Sequence, residues 1–337
     1  MKIQKKWGLV LIAVLLLSLI VSACGSKTVE TTKVRIGEVT RSLFYAPQYV
    51  ALSQGFFKEE GLDVELTTTP GGDKTMTALL SNAIDIALVG SETSIYVSQQ
   101  GSDDPVINFA QLTQTDGTFL VARKKVDTFD WNSLKGSIFL GQRKGGMPQM
   151  AGEFTLKKHN INPQKDLQLI QNIDFANIVS AYSSGTGEYV QLFEPQASII
   201  EKEGKGFVLA SFGVESGHLP YTVFMTKQSF INKNPATVQK FTNAVQRAQN
   251  WVAAKSTDEI TTAVLPFFKD IDVEIVKNVV KRYKDQGSFA SDAIIDEQEW
   301  NNLLDVMTSA GELKEKVAWK KLVNNSYAEK AKSNVKP

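Results

Sequence analysis

Residues 55–65 read GFFKEEGLDVE, and this short stretch carries the clearest local indication of secondary structure in the chain. Two aromatic residues stand ahead of a charged triplet, as at the end of an amphipathic helix. Gly61 suits the left-handed conformation that commonly closes a helix. Residues 62–66 then alternate between apolar and acidic side chains, which is typical of a strand. The stretch therefore predicts a helix, a glycine cap and a strand in succession, with Phe56, Phe57 and the leucine in the core.

On both sides of this stretch, short apolar runs alternate with helical patterns as far as residue 225. Repeated strand–helix units predict an α/β protein with parallel, helix-flanked sheets. Beyond residue 225 the pattern is helical, beginning at Asn234-Pro235, and further helices are predicted at 256–268, 272–285 and 296–309. The strands are predicted at 34–39, 63–66, 84–89, 106–112, 137–140, 167–170, 189–193, 207–212 and 221–225.

Two loops in the first part of the chain carry candidate ligand-binding residues, because ligands of open α/β sheets bind beyond the carboxyl ends of strands. Ser42 and Tyr45 follow the first strand, where a tyrosine can stack on a planar ligand or simply pack in the core. Gly90, Ser91 and Glu92 join a strand to a helix. Amides and a hydroxyl there can hold an anionic group, whereas Glu92 would favour an amine or amidine. Ser91 can equally be a helix N-cap.

Residues 142–148 (QRKGGMP) form the most site-like loop further along the chain. Gly145 and Gly146 allow a ligand to approach the backbone closely, and the following proline suits the start of a helix. Arg143 and Lys144 can pair with a carboxylate, sulfonate or phosphate. The alternative is a solvated turn with two ordinary surface charges.

Polar residues at other predicted strand ends are further candidates. Glu194 can accept hydrogen bonds from an amino-heterocycle, or it can complement the dipole of the next helix. Asp174 and Glu188 are weaker candidates of the same kind. Ligand and hinge roles are both open for three residues beside a predicted crossover between lobes: Thr113, Gln114 and Asp116.

The N-terminus has the pattern of an exported protein. Three lysines precede an uncharged run, 8–22, that is shorter than the ~20 residues of a membrane-spanning helix, and small residues follow it, as in a secretory signal. Residues 21–24 (VSAC) resemble a bacterial lipobox, which implies cleavage before Cys24 and its lipidation; the alternative is a signal anchor with an incidental cysteine. Cys24 is the only cysteine. We predict a signal peptide at 1–23, a polar tether at 24–32 and a lipid-anchored protein on the extracytoplasmic face of the membrane.

Several motifs resemble the superfamily of binding proteins for aliphatic sulfonates, taurine and thiamine precursors. They are YAPQYVA at 45–51, GFFKEEGLDVE at 55–65, ALLSNAIDIA at 78–87, FEP at 193–195 and GHLPYT at 217–222. The resemblance implies a two-lobe periplasmic-binding-protein fold with two crossovers and a helical C-terminal tail. One lobe would contain residues 33–118 and 222–337, and the other would contain the inserted residues 119–221.

The same resemblance implies a monomeric receptor that closes around a small ligand and delivers it to an ABC permease and its ATPase. The leading ligand is an aminopyrimidine of the thiamine-precursor type, favoured by the FEP segment, Tyr45 and the acidic candidates. An alkyl- or arylsulfonate is the alternative, favoured by Arg143, Lys144 and the helix N-termini. A binding protein that feeds a sensor is a further alternative.

Composition and motifs argue against other functions. The chain has 37 basic and 36 acidic residues, a balance that does not indicate nucleic-acid binding. His159 and His218 are the only histidines and belong to no metal-spaced cluster; GxSxG, Walker A and GxGxxG motifs are absent. A thiamine-pyrimidine synthase would share the fold, but the resemblance to it implies a cysteine-rich iron motif that this chain lacks. We predict a protein that is not an enzyme and uses no metal or cofactor.

Overall fold

Two five-stranded sheets organise the part of the chain that the computed structural model describes, residues 31–335. The strand order is β2-β1-β3-β10-β4 in the first sheet and β7-β6-β8-β5-β9 in the second. The strands are β1 (Thr32–Glu38), β2 (Leu62–Thr68), β3 (Ile86–Gly90), β4 (Val106–Thr113), β5 (Thr118–Ala122), β6 (Ile138–Leu140), β7 (Gln168–Ile170), β8 (Tyr189–Phe193), β9 (Phe207–Ser211) and β10 (Thr222–Lys227). The predicted signal peptide and Cys24 lie outside the described residues.

The prediction of parallel sheets is wrong for one strand in each sheet. β10 runs antiparallel to β3 and β4, and β5 runs antiparallel to β8 and β9. Each is the first strand after the chain passes from one sheet to the other, at 114–117 and at 217–221. Such a strand starts at the edge where its neighbours end, so it runs in the opposite direction. β5 was also not predicted, because all five of its residues are buried and a fully buried strand shows no alternation.

Helices cover the sheets and form most of the C-terminal third, as predicted. The α-helices are α1 (Ala46–Ser53), α2 (Phe56–Glu59), α3 (Gly72–Leu80), α4 (Glu92–Gln99), α5 (Met147–Lys158), α6 (Ile178–Ser183), α7 (Gln196–Lys202), α8 (Phe212–Ser216), α9 (Gln228–Lys233), α10 (Pro235–Ala254), α11 (Thr257–Val264), α12 (Val273–Asp285), α13 (Glu297–Ala310), α14 (Trp319–Leu322) and α15 (Ser326–Asn334). Three helices of the C-terminal third, α9, α14 and α15, have no counterpart among the predicted helices. No helix between residues 31 and 335 combines the length and apolar character needed to cross a bilayer.

The stretch at 55–65 folds as its sequence predicts. α2 is followed by Gly61 at φ 74° and then by β2, which pairs in parallel with β1. Phe57 is buried and its ring lies 5.0 Å from that of Phe241 on α10. Phe56 is only partly buried, because its ring lies at the surface beneath the guanidinium of Arg247, 4.5 Å from the ring centroid. The stretch thus attaches the edge of the first sheet to the longest helix of the C-terminal third.

Candidate functional site

The candidate site lies at one edge of the first sheet. The carboxyl ends of the parallel strands β1, β3 and β4 meet there, together with the amino end of the antiparallel β10. Four segments therefore converge at this edge: the turn at 43–45, the start of α4, and the two connections between the sheets. This is the edge at which α/β sheets bind ligands.

Four side chains from these segments form the central cluster: Tyr45, Glu92, Asp116 and Tyr221. All four are at most 6% exposed. Burial raises the pKa of Glu92 to about 7 and that of Asp116 to about 6. Burial also raises the pKa of Tyr221 well above its usual range, and the charges on Asp116 and Glu92 add to this effect. The three groups are therefore within electrostatic reach of one another.

Unpartnered polar atoms distinguish the central cluster from an ordinary buried network. Glu92 Oε2 is buried without a hydrogen-bond partner within the described chain. Asp116 Oδ2 and the Tyr221 hydroxyl also lack a hydrogen bond of standard geometry there, although the two side chains interact with each other. Glu38, at the end of β1, provides the contrast, because its carboxylate accepts from Tyr49, Gln48, Thr68 and Arg41. An unsatisfied buried polar group costs roughly 1–3 kcal/mol. Hydrogen-bond donors from a ligand would remove this cost at the carboxylates.

The second sheet brings its own strand ends against this edge. Glu92 Oε1 accepts a hydrogen bond of 3.4 Å from the backbone N–H of Met147, the first residue of α5. The Tyr96 hydroxyl on α4 donates to the carbonyl of Gly145 at 3.3 Å. Arg143 lies 3.5 Å from Asp73 on α3. The loop at 142–148, predicted as site-like, therefore contacts the first sheet's helices, and the central cluster lies between the two sheets.

Aromatic rings form one wall of the central cluster. Phe44 lies at the centre of this wall, with ring centroids 5.9 Å from Tyr45, 5.5 Å from Tyr221, 6.0 Å from Phe193 and 5.0 Å from Tyr283. Rings at such distances favour tilted or edge-to-face packing. A flat ligand beside the acidic groups would thus meet aromatic surface.

Glu194 is buried but is not free to bind a ligand with its carboxylate. Oε1 accepts from Arg282 at 2.5 Å and from the Ser198 hydroxyl at 2.9 Å, and Oε2 accepts from the Ser198 backbone N–H at 2.9 Å. Burial raises the pKa of Glu194, and Arg282 opposes that shift. The predicted ligand acceptor thus functions as a helix-capping and ion-pairing residue in this arrangement.

Other predicted site residues fall into two groups. Four lie near the central cluster with their polar atoms engaged: the Ser42 hydroxyl contacts the Glu194 carbonyl at 3.4 Å, the Ser91 hydroxyl donates to the Pro220 carbonyl, Thr113 Oγ1 accepts from the Thr222 N–H at 3.1 Å, and Gln114 Nε2 donates to the Gly287 carbonyl at 2.9 Å. The structure does not bring the side chains of three others to the cluster: Lys144, Asp174 and Glu188 are exposed.

Two residues of the central cluster were underestimated from sequence. The sequence leaves hinge and ligand roles open for Asp116, beside a predicted crossover. It places Tyr221 in the motif GHLPYT without indicating a ligand role for it. The usable signal was their position in the two segments that connect the sheets, since both connections end at the candidate edge.

Two concavities differ in position: one lies away from the central cluster, and the other adjoins its aromatic wall at Phe193. A solvent-open groove of about 830 Å³ between α7 and α12 is lined mainly by charged side chains, among them Glu201, Lys202 and Lys281. A cavity of about 70 Å³ lies beside Gln142, Phe193 and Gln196. The groove has no unpartnered buried polar atom on its lining, and the cavity has one, the amide oxygen of Gln196. The central cluster differs from both in having unpartnered carboxylate oxygens, so the chemistry of buried groups, rather than volume, identifies the candidate site.

Comparison with known proteins gives relatives along the whole chain. The sequence profile of the NMT1-like family matches residues 27–265. YtlA of Bacillus subtilis (strain 168), a candidate binding protein by name, is 59% identical over 97% of each chain. A candidate aliphatic-sulfonate-binding protein of the same organism is 24% identical over 97% of each chain. The 4-amino-5-hydroxymethyl-2-methylpyrimidine phosphate synthase of Aspergillus parasiticus is 28% identical over 63% of this chain and 64% of the enzyme.

Solved structures share the architecture. The ligand-binding component of an ABC-type import system from Staphylococcus aureus superposes with a TM-score of 0.71, covering 89% of this chain and 99% of that one at 16% identity. This likeness concerns the fold, and it agrees with the two-sheet, two-crossover arrangement described above. The chain belongs to the NMT1-like family and has the periplasmic-binding-protein fold.

Proposed function

We propose that this protein is the extracytoplasmic solute-binding component of an ABC-type importer, held at the membrane by a lipid on Cys24. The central cluster carries the proposal, because it gathers buried, unpartnered polar atoms at the edge where two sheets meet. Support comes from YtlA, named as a binding protein, and from the fold shared with an import-system component. The chain acts by binding rather than by catalysis, as a monomer whose partners are a small molecule, a permease and its ATPase.

The two lobes proposed for this receptor contain one sheet each, with residues 33–118 and 222–337 in one and 119–221 in the other. Contacts between them at the site include single hydrogen bonds, such as Glu92 with Met147 and Tyr96 with Gly145. They also include the packing of Phe44 on Phe193 and the ion pair of Arg282 with Glu194. Such contacts can break and reform on lobe opening, which is the hinge motion by which binding proteins respond to ligand.

An aminopyrimidine is the ligand class that the central cluster supports best. Its unpartnered atoms include two carboxylate oxygens, which need donors, and the aromatic wall suits a planar ring. The two cations of the loop at 142–148 do not supply an anion site, because Arg143 and Lys144 are exposed and Arg143 pairs with Asp73. The distant relationship to a pyrimidine phosphate synthase points in the same direction.

An alkyl- or arylsulfonate is the second candidate. It is favoured by one observation, the relative named for aliphatic sulfonates that aligns over 97% of this chain. The N-terminus of α5 is the place where a sulfonate would bind, in exchange for the Glu92 carboxylate that accepts from the Met147 N–H. Ligand binding separates the two candidates directly.

Thermal unfolding of the full-length protein in detergent, followed by tryptophan fluorescence, should respond to ligand class. We expect 4-amino-2-methylpyrimidine to raise the midpoint, because a ligand at a hundredfold excess over its Kd stabilises the folded state by about 2.7 kcal/mol. Taurine and methanesulfonate should have no effect. Tyr221→Phe should weaken binding by about three- to tenfold through loss of one hydrogen-bonding group. A midpoint that rises with sulfonates alone would contradict the aminopyrimidine assignment.

The matched control for this variant is Tyr189→Phe. Tyr189 begins β8 at the end of the strand opposite to the site, so removal of its hydroxyl should leave the affinity unchanged. Equal losses in both variants would indicate a general effect of hydroxyl removal and would contradict a role for Tyr221 in binding.

Lipidation of Cys24 is tested independently of the ligand. Mass spectrometry of the membrane-extracted protein should show acyl mass on Cys24, and Cys24→Ala should release the protein from the membrane fraction, because stable anchoring requires acyl chains. A wild-type protein without acyl mass, or a Cys24→Ala protein that stays bound, would contradict the lipid anchor.

A further inference from the structure

The N-terminus of α5 is contacted by the side chain of Glu92, a residue that follows β3 of the first sheet. This twelve-residue helix has Gly146 as its N-cap, no side-chain cap and no acidic residue in its first turn. A helix end of this kind carries a partial positive charge that favours an anion. Because residue 148 is a proline, which has no N–H, the Met147 N–H is the first donor at this end. In this structure the group found there is the carboxylate of Glu92, which accepts from the Met147 N–H.

Glu92 has only one of its two oxygens engaged. Oε2 is buried and without a partner, although the residue is only 5% exposed. Among the described residues, no lysine, arginine or histidine pairs with it; the ionisable groups that sense its charge are the hydroxyls of Tyr45, Tyr96 and Tyr221. When it is ionised, the carboxylate thus places a negative charge where no cation compensates it.

Gly90 makes room for this arrangement. A Cβ atom at Gly90 would lie 2.1 Å from Glu92 Oε2, closer than atoms can approach without displacement. The absence of a side chain at the end of β3 therefore allows the carboxylate to turn back over the strand end, with Oε2 inside the site and Oε1 towards α5.

We propose that Glu92 sets the charge class of the ligand. Its carboxylate occupies the helix end at which an anionic group would otherwise bind, and its free oxygen accepts from a ligand that carries N–H donors or a positive charge. This inference rests on the proposed function, because it places the ligand at the central cluster. An anionic ligand would meet the repulsion of Glu92 and would find the α5 N–H group already engaged.

Binding of two charged probes to the full-length protein at pH 8, measured by calorimetry, tests the role of Glu92. Benzamidine carries an amidinium group, and methanesulfonate carries a fixed negative charge. The wild-type protein should bind benzamidine and not methanesulfonate. Glu92→Gln keeps the size of the side chain and removes its charge, so it should weaken benzamidine binding by about tenfold or more, a free-energy change near 1.4 kcal/mol, and should gain measurable binding of methanesulfonate.

Two further variants keep the test specific. Glu92→Ala removes the carboxylate from the N-terminus of α5 and should also gain methanesulfonate binding. A gain in both variants would show that it does not depend on the introduced glutamine side chain. Asp116→Asn removes the other buried charge of the central cluster; it should weaken benzamidine binding without admitting methanesulfonate, because Asp116 bonds to Thr118 and not to α5.

The outcomes separate this inference from the proposed function. If Glu92→Gln and Glu92→Ala bind both probes as the wild type does, or if the wild type already binds methanesulfonate as tightly as they do, Glu92 does not set the charge class and the inference is overturned while the receptor function stands. If neither the wild type nor any variant binds a probe or any ligand of the thermal-unfolding panel, the receptor function is contradicted and the inference falls with it.

Discussion

Replacing Arg282 with methionine is expected to lower the free energy of unfolding by about 3–5 kcal/mol, the cost of breaking a buried ion pair from one side. Arg282 on α12 donates to Glu194 at 2.5 Å and to Glu201 at 2.9 Å. The Glu194 side chain is fully buried, whereas that of Arg282 is 30% exposed. Methionine retains most of the apolar stem but leaves Glu194 with only the two Ser198 donors. Urea unfolding at pH 7 measures the loss.

The double variant Arg282→Met/Glu194→Gln should recover most of this loss, because a neutral amide in place of the unpaired carboxylate has a smaller desolvation cost. Lys281→Met is the matched control: Lys281 pairs with Asp285, and both side chains are about 60% exposed, so we expect a change within about 0.5 kcal/mol. A loss for Arg282→Met no larger than that for Lys281→Met would show that the buried pair is not required for stability.

The double variant also bears on the role once predicted for Glu194. Since both Glu194 oxygens are engaged within the protein, its ligand affinity should remain close to that of the wild type. A double variant that folds but no longer binds would indicate that Glu194 contacts the ligand after all.

The stability of the ligand-free protein should fall as the pH rises from 5 to 8. The pKa of Glu92 is raised from 4.5 to about 7 and that of Asp116 from 3.8 to about 6, in both cases mainly by burial. The folded state therefore binds these two protons more tightly than the unfolded state does, and the stabilisation present at low pH is lost as each carboxyl ionises. Shifts of this size correspond to about 3 kcal/mol for each group over its whole titration. Between pH 5 and 8 the loss is about 3 kcal/mol from Glu92 but only about 1 kcal/mol from Asp116, because most of the Asp116 titration window lies below pH 5. Urea unfolding at several pH values gives the slope.

Glu92→Gln should remove the Glu92 share of this dependence and should be more stable than the wild type at pH 8. Glu259→Gln is the control, because the exposed Glu259 has its pKa lowered to about 2 by Lys255 and Ser256, so it is ionised over most of the range and should leave the slope unchanged. A wild-type stability that is constant or rises between pH 5 and 8 would contradict the burial of ionised Glu92 and Asp116.

Most of the fold could be predicted from local sequence patterns. The helix, glycine cap and strand at 55–65 and the long helix from Pro235 depend on neighbouring residues, whose periodicity and glycine or proline content are visible in the sequence. The strand β5 was missed because its residues are all buried and show no alternation, and the antiparallel directions of β5 and β10 were not predicted. Strand direction depends on where the chain enters a sheet, and this is a property of the two connections rather than of the strands.

The candidate site could be predicted from the sequence only in outline. The sequence predicts ligand-binding residues in the loops after β1, β3 and β6. β1 and β3 end at the same edge of the first sheet, and the loop after β6, in the second sheet, contacts α4 beside that edge. Which of the acidic candidates remain available to a ligand could not be predicted from the sequence. Glu194 is neutralised by Arg282, which is 88 positions away in the sequence, whereas Asp116 and Glu92 keep unpartnered oxygens.

Local sequence pattern was thus sufficient for the α/β architecture, the helical C-terminal third and the edge that holds the site, because each follows from residue spacing and strand ends. Tertiary contacts alone determined which carboxylates remain available, because pairing and burial depend on residues far apart in the chain. The contact of Glu92 with the first N–H of α5 is of this second kind. It joins two segments 55 residues apart, and neither segment shows from its own sequence that a negative charge already occupies the helix end.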